Sequence, residues 1–181
     1  MKTLILGGMR SGKSRLAERL AEESGRRVIY IATATAGDEE MRQRIEHHRR
    51  QRPGHWLTVE EPLALAARLA EHDGPDRCLL VDCLTLWLTN LLTTPEAGRW
   101  ARERDALLET LPGLEAELLL VSNETNQGIV PMDALSRRFC DEAGRLHQAL
   151  AALCDRVVLT VAGLPLTLKG PAVCTDDRRS D

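Results

Sequence analysis

Short, nearly continuous apolar runs alternate along this chain with stretches in which apolar residues return every three or four positions. The runs Thr3–Leu6, Val28–Ala32, Leu57–Glu60, Cys78–Asp82, Leu118–Ser122 and Arg156–Val161 predict strands. Most lack polar interruptions, as strands buried on both faces of a parallel sheet do. The helical period predicts helices over Lys13–Glu23, Asp38–Gln51, Pro62–Glu71, about Thr85–Leu92, Ala97–Leu111 and Asp133–Leu153. Leu164–Lys169 fits one further edge strand. The alternation predicts an α/β fold, a doubly wound and mostly parallel sheet flanked by helices, in one domain spanning 1–181. The polar, charged tail Thr175–Asp181 is expected to fray, with flexibility from about residue 170.

In such sheets ligands bind outside the carboxyl ends of the strands. The residues just past each strand are therefore the ones to read. After the first strand comes Gly7-Gly8-Met9-Arg10-Ser11-Gly12-Lys13-Ser14, which then enters the amphipathic stretch Arg15–Glu22. This is G-x-x-x-x-G-K-S in the strand–turn–helix setting that a phosphate loop needs. Glycines let the backbone wrap a polyphosphate, and the N–H groups of the first helical turn point at it. Lys13 brings a point charge to the β- and γ-phosphates, and Ser14 a hydroxyl for Mg²⁺. The chain is thus expected to be P-loop NTPase-like and to bind a nucleoside triphosphate.

Bulk composition narrows the rest. The chain has 181 residues, 43% hydrophobic and 28% charged, with a net charge of −3, so no basic field favours nucleic acid. Aromatic residues are only 3%, which leaves few stacking platforms for single strands. The five cysteines, Cys78, Cys83, Cys140, Cys154 and Cys174, show no C-x-x-C spacing and read as reduced, buried side chains. The first apolar run is too short for a signal peptide. No run approaches the roughly 18 apolar residues of a membrane span, so a cytoplasmic protein is expected.

Three further segments carry candidate chemistry. Cys78–Asp82 is an apolar strand ending in a carboxylate, and beside a phosphate loop Asp82 fits a Mg²⁺-holding role. Asp38–Arg52 combines an N-cap and first-turn acids with Arg42, Arg44, Arg49, Arg50 and Arg52. Met41, Ile45 and His48 share its apolar stripe, while His47 is turned about 100° away. His48 thus points at the protein body, beside arginines that attract phosphate and hold an imidazole neutral. A neutral imidazole in that setting is a candidate nucleophile toward phosphorus. Finally, Val121–Pro131 is a polar loop after a strand. Asn123 and Glu124 fall there where a catalytic or substrate contact would lie, although turn punctuation explains the segment equally well.

These segments together resemble the bifunctional adenosylcobinamide kinase/adenosylcobinamide-phosphate guanylyltransferase family of cobalamin biosynthesis. The resemblance rests on Gly7–Arg15, Tyr30–Ala34, Asp38–Met41, Arg44–Arg49, Arg52-Pro53, His55-Trp56, Thr58–Pro62, Val81–Thr85, Thr89–Leu92, Val121–Glu124 and Gly128–Pro131, and runs from the first strand to about Lys169. Two departures stand out. Met9 replaces the family's usual alanine, between the required glycines. Thr125 and Asn126 replace valine and glycine in the last loop.

The resemblance implies two reactions. The aminopropanol hydroxyl of adenosylcobinamide is phosphorylated with GTP or ATP, and GMP from GTP is then transferred to that phosphate through a histidine–GMP phosphoramidate, giving adenosylcobinamide-GDP and pyrophosphate. The family's R-I-x-x-H-[KR] pattern places that histidine at His48, in agreement with the helical face. It implies Lys13 and His48 as catalytic residues. It implies nucleotide contacts at Gly7, Gly8, Met9, Arg10, Ser11, Gly12, Lys13, Ser14, Ala32, Thr33, Ala34, Arg49, Arg50, Gln51, Arg52, Glu60 and Asp82, Mg²⁺ at Ser14 and Asp82, and a homotrimer. A kinase-only relative and a P-loop GTPase switch are the alternatives. The chain contains no N-K-x-D guanine-specificity sequence, which disfavours the switch.

Overall fold

The computed structural model describes residues 1–35, 39, 42 and 53–173. The predicted helix Asp38–Gln51 and the tail Thr175–Asp181 lie outside the described residues, apart from Glu39 and Arg42. Both of these are helical, and they pair at 2.6 Å.

Seven strands form one sheet: β1 (Lys2–Gly7), β2 (Arg27–Ala32), β3 (Leu57–Glu60), β4 (Arg77–Asp82), β5 (Glu117–Asn123), β6 (Arg156–Val161) and β7 (Leu164–Lys169). Their order is β3-β2-β4-β5-β1-β6-β7. All neighbours are parallel except β6 and β7, which form an antiparallel edge hairpin. Helices α1 (Lys13–Glu23), α2 (Leu65–Glu71), α3 (Leu84–Thr93), α4 (Arg99–Thr110) and α5 (Ala134–Leu153) cover the sheet.

The period-2 alternation of the strands divides the core. Leu4, Ile29, Leu79 and Leu118 face α2, α3, α4 and α5 through Leu65, Trp87, Leu107 and Leu146. Ile5, Tyr30, Leu80 and Leu119 face α1 through Leu16, Ala17 and Leu20. Trp87 and Trp100 meet edge to face, with centroids 5.5 Å apart. Each indole N–H has a partner: Trp87 donates to the Leu63 carbonyl and Trp100 to Glu142.

Local chemistry moves some element ends from where periodicity puts them. Helix α2 starts at Leu65 rather than Pro62, because Glu61 Oε1 accepts the N–H groups of Leu63 and Ala64 and turns the chain first. Helix α4 starts after Gly98 at φ 75° and gives way to a tight turn, Leu111–Gly113, which contains Pro112. Asp133 caps α5 by accepting from the Ser136 N–H at 2.8 Å. Of the tail expected to be flexible from about residue 170, the structure describes only residues 170–173. Val173 packs against the α1-side core and donates its N–H to Thr167 Oγ1.

Candidate active site

The carboxyl ends of the strands form one row. Glu60 pairs in register with Ala32, Ala32 with Asp82, and Asp82 with Val121. Gly7 lies opposite Asn123 on one side and Thr160 on the other. Parallel pairing thus brings Glu60, Ala32, Asp82 and the Gly7 loop to the same sheet edge. It does not bring them equally close. Glu60 stands four strand spacings from Gly7, about 19 Å at about 4.8 Å each.

The loop itself is built by close backbone approach. A Cβ at Gly7 would collide with Ser11 Oγ and lie 2.7 Å from the Thr160 carbonyl oxygen. At Gly12, where φ is +93°, it would lie 3.1 Å from Gly163 Cα. Arg10 also has positive φ, at 56°. The Ser11 N–H turns back to the Gly8 carbonyl at 3.2 Å, and the Gly163 N–H fixes the Ser11 carbonyl at 2.8 Å. No side chain caps α1 and no acid occupies its first turn, so the N-terminal N–H groups and the positive end of the dipole remain available to an anion. Ser11 Oγ is buried without a hydrogen-bond partner, a donor turned into the loop.

Lys13 is buried, and its ammonium donates to the Gly8 carbonyl at 3.2 Å. Burial lowers its pKa below the ordinary lysine value, and the negative charge of Asp82 opposes that shift. Asp82 ends β4 and accepts the Tyr30 hydroxyl on Oδ2 at 2.8 Å. Ser14, half-buried, follows Lys13 on the first turn of α1.

Thr33 is fully buried. Its hydroxyl donates to the Cys83 carbonyl at 2.7 Å and accepts the Cys83 N–H at 2.9 Å. The side chain therefore ties the end of β2 to the residue after Asp82, while the Ala32 carbonyl accepts the Glu61 N–H at 2.9 Å and the Thr33 carbonyl accepts from Asn90 Nδ2 at 2.8 Å. His48, Arg49, Arg50, Gln51 and Arg52 lie outside the described residues.

One constellation escapes sequence reading. The Thr85, Ser122 and His147 side chains form a chain of contacts under the loop, with Thr85 Oγ1 to Ser122 Oγ at 3.4 Å and Ser122 Oγ to His147 Nε2 at 2.8 Å. His147 Nδ1 faces Glu124 Oε2 at 3.8 Å. Burial lowers the His147 pKa, with the Glu124 charge opposing it. Glu124 was already a candidate contact; for His147 the only signal was its core position on α5, between Ala143, Leu146 and Leu150. Glu124 and Gln127 line a cleft of 360 Å³ with Gly8, Met9, Ser11 and Thr160.

The profile of the cobinamide kinase/cobinamide phosphate guanyltransferase family matches residues 3–168. The chain belongs to this family. It is 64% identical over 170 residues to the bifunctional adenosylcobalamin biosynthesis protein CobP of Pseudomonas aeruginosa, covering 94% of this chain and 98% of that protein. It is 40% identical over 182 residues to the bifunctional adenosylcobalamin biosynthesis protein CobU of Escherichia coli K12, covering 93% and 100%. A Pyrococcus horikoshii OT3 protein solved in a structural study superimposes with a TM-score of 0.55 at 8% identity, covering 94% of this chain and 87% of that one. That likeness is one of fold. The family is one of bifunctional kinase and guanyltransferase enzymes. Among the described residues no helix is long and apolar enough to cross a membrane.

Proposed function

We propose that this chain phosphorylates the aminopropanol hydroxyl of adenosylcobinamide with GTP or ATP, and then transfers GMP from GTP to that phosphate, giving adenosylcobinamide-GDP and pyrophosphate. Both activities would reside in the one domain, 1–181. The observation that carries the reading is the phosphate loop, with buried Lys13 beside Asp82, in a chain that belongs to this family throughout residues 3–168.

The loop N–H groups and Lys13 hold the triphosphate and stabilise the charge that develops as the terminal phosphoryl group moves. Ser14 and Asp82 fit Mg²⁺. Among the described residues no three His, Cys, Asp or Glu side chains group to hold a metal ion, and Mg²⁺ is characteristically held by one or two protein oxygens together with substrate phosphates. When bound it would neutralise phosphate charge; Tyr30 fixes the carboxylate that would hold it.

In the second reaction His48 attacks the α-phosphorus of GTP. The N–P bond forms as pyrophosphate leaves with the bridging electron pair. The substrate phosphate then displaces the histidine. Arg49, Arg50 and Arg52 would offset phosphate charge, with Gln51 beside them. The wide separation of Glu60 from Gly7 supports a guanine nucleotide reaching along the strand ends, its base toward β3. The exposed apolar side chains Leu164, Leu166 and Leu168 on β7 and Ile129, Val130 and Met132 before α5 support assembly of a homotrimer. The setting is cytoplasmic, where GTP and ATP are supplied.

Chromatography of corrinoid products tests the reading. Adenosylcobinamide, GTP and Mg²⁺ should give the phosphate and then the GDP derivative. A reaction stopping at the phosphate would leave a kinase only, and no corrinoid product would refute the proposal.

A further inference from the structure

The kinase half of this reading needs a group to orient and deprotonate the acceptor hydroxyl, and nothing so far supplies it. Four carboxylates stand at the carboxyl ends of the described strands or immediately after them. Glu61 is committed to the N–H groups of Leu63 and Ala64 and to Arg68. Glu60 lies four strands away from the loop. Asp82 accepts from Tyr30 and faces Lys13. Glu124 remains.

Glu124 is anchored at the terminal-phosphate end of the loop. Its N–H donates to the Gly7 carbonyl at 3.0 Å, and Lys13, which reaches the β- and γ-phosphates, bonds Gly8 next along the chain. Glu124 lines the same 360 Å³ cleft as Gly8 and Met9. Oε1 accepts the Asn126 N–H at 2.7 Å.

A chain of polar side chains lies beneath it. The Asn123 N–H donates to Thr85 Oγ1 at 2.7 Å. The Thr85 hydroxyl meets Ser122 Oγ at 3.4 Å, and Ser122 Oγ meets His147 Nε2 at 2.8 Å. With Ser122 donating to Nε2, the imidazole proton would sit on Nδ1, which has no hydrogen-bond partner of its own and faces Glu124 Oε2 at 3.8 Å.

We propose that Glu124 accepts the proton of the substrate hydroxyl during phosphoryl transfer, and that His147, held by Ser122, is the positioning residue that aims it. The inference rests on the kinase activity proposed above. The hydroxyl oxygen bonds to the γ-phosphorus and the bond to the bridging oxygen breaks. The nucleoside diphosphate leaves with that electron pair, and the hydroxyl proton passes to the Glu124 carboxylate. The transfer of GMP to an existing phosphate has no hydroxyl proton to remove and does not need this group.

The test compares variants in both half-reactions. Glu124→Gln should lower kcat for phosphorylation of adenosylcobinamide by about 10²-fold or more. KM for GTP and guanylylation of preformed adenosylcobinamide phosphate should stay within about threefold of wild type. His147→Asn keeps an amide N–H near the Nδ1 position and should retain most of the kinase rate, whereas His147→Gln, which reaches only toward Ser122, should lose roughly tenfold. A Glu124→Gln variant that phosphorylates at the wild-type rate would overturn the proposal. So would loss of both half-reactions in proportion to melting temperature. A wild-type protein that phosphorylates nothing would instead sink the functional reading beneath it.

Discussion

The Thr33 hydroxyl and the Cys83 backbone exchange two hydrogen bonds, at 2.7 and 2.9 Å, across the gap between β2 and β4. The residue held in this way is the neighbour of Asp82. Thr33→Val keeps the shape but strands a buried N–H and a buried carbonyl. It should cost about 1–3 kcal/mol in denaturant unfolding. It should also lower kinase turnover, because Asp82 loses its fixed position. Tyr30→Phe should be milder, since it removes one bond to a carboxylate that keeps its other contacts. Equal stability of Thr33→Val and wild type would show that this tie is dispensable.

Lys13 is held at a cost that a bound triphosphate would remove. Burial lowers its pKa, so the free protein carries a partly desolvated cation that a triphosphate would satisfy. Lys13→Met should abolish phosphorylation of adenosylcobinamide, by about 10²-fold or more. The same substitution should leave the melting temperature of the nucleotide-free protein unchanged or higher. Wild-type protein, but not the variant, should gain stability on adding GTP. Near-normal turnover of Lys13→Met would refute the role of the loop.

Much of this was legible in the sequence, and what was not has physical reasons. Strands β3, β6 and β7 and helix α1 have the bounds that patterning predicts, because apolar runs and the Lys13 helix start are local signals. The insertion of β5 between β1 and β4 is a long-range choice, and no local pattern encodes it. Asp82 was readable as a strand-end acid. Tyr30 was not readable as its partner, because an apolar strand hides which hydroxyl points along the sheet edge. His147 and Ser122 sit at core positions, where periodicity reports burial and cannot report that two polar atoms meet there.

Stability should respond to acid through His147. Its folded-state pKa lies below the ordinary 6.5 because burial disfavours the charged ring. Below pH 6.5 the unfolded chain therefore binds a proton that the native state resists, and stability falls as pH drops from 6.5 toward the folded value. Above 6.5 the ring is neutral in both states and the effect is absent. Melting temperature from pH 7.5 to 5.0 should fall more steeply for wild type than for His147→Gln. Parallel curves would contradict a buried neutral imidazole.

The two activities should separate at one residue. Phosphoryl transfer requires the loop and a docked hydroxyl, whereas GMP transfer also requires a nucleophile at the α-phosphorus. His48→Ala should accumulate adenosylcobinamide phosphate and form no adenosylcobinamide-GDP, with little change in melting temperature. A merely structural His48 would lower both products together with stability.

Intact mass after incubation with GTP and Mg²⁺, without corrinoid, tests covalent guanylyl transfer most directly. Wild type should gain one guanylyl group, acid-labile and alkali-stable, and peptide mapping should locate it on His48. His48→Ala should gain none. A wild-type protein that stays unmodified while still making adenosylcobinamide-GDP, or a His48→Ala variant that is modified in full, would contradict it.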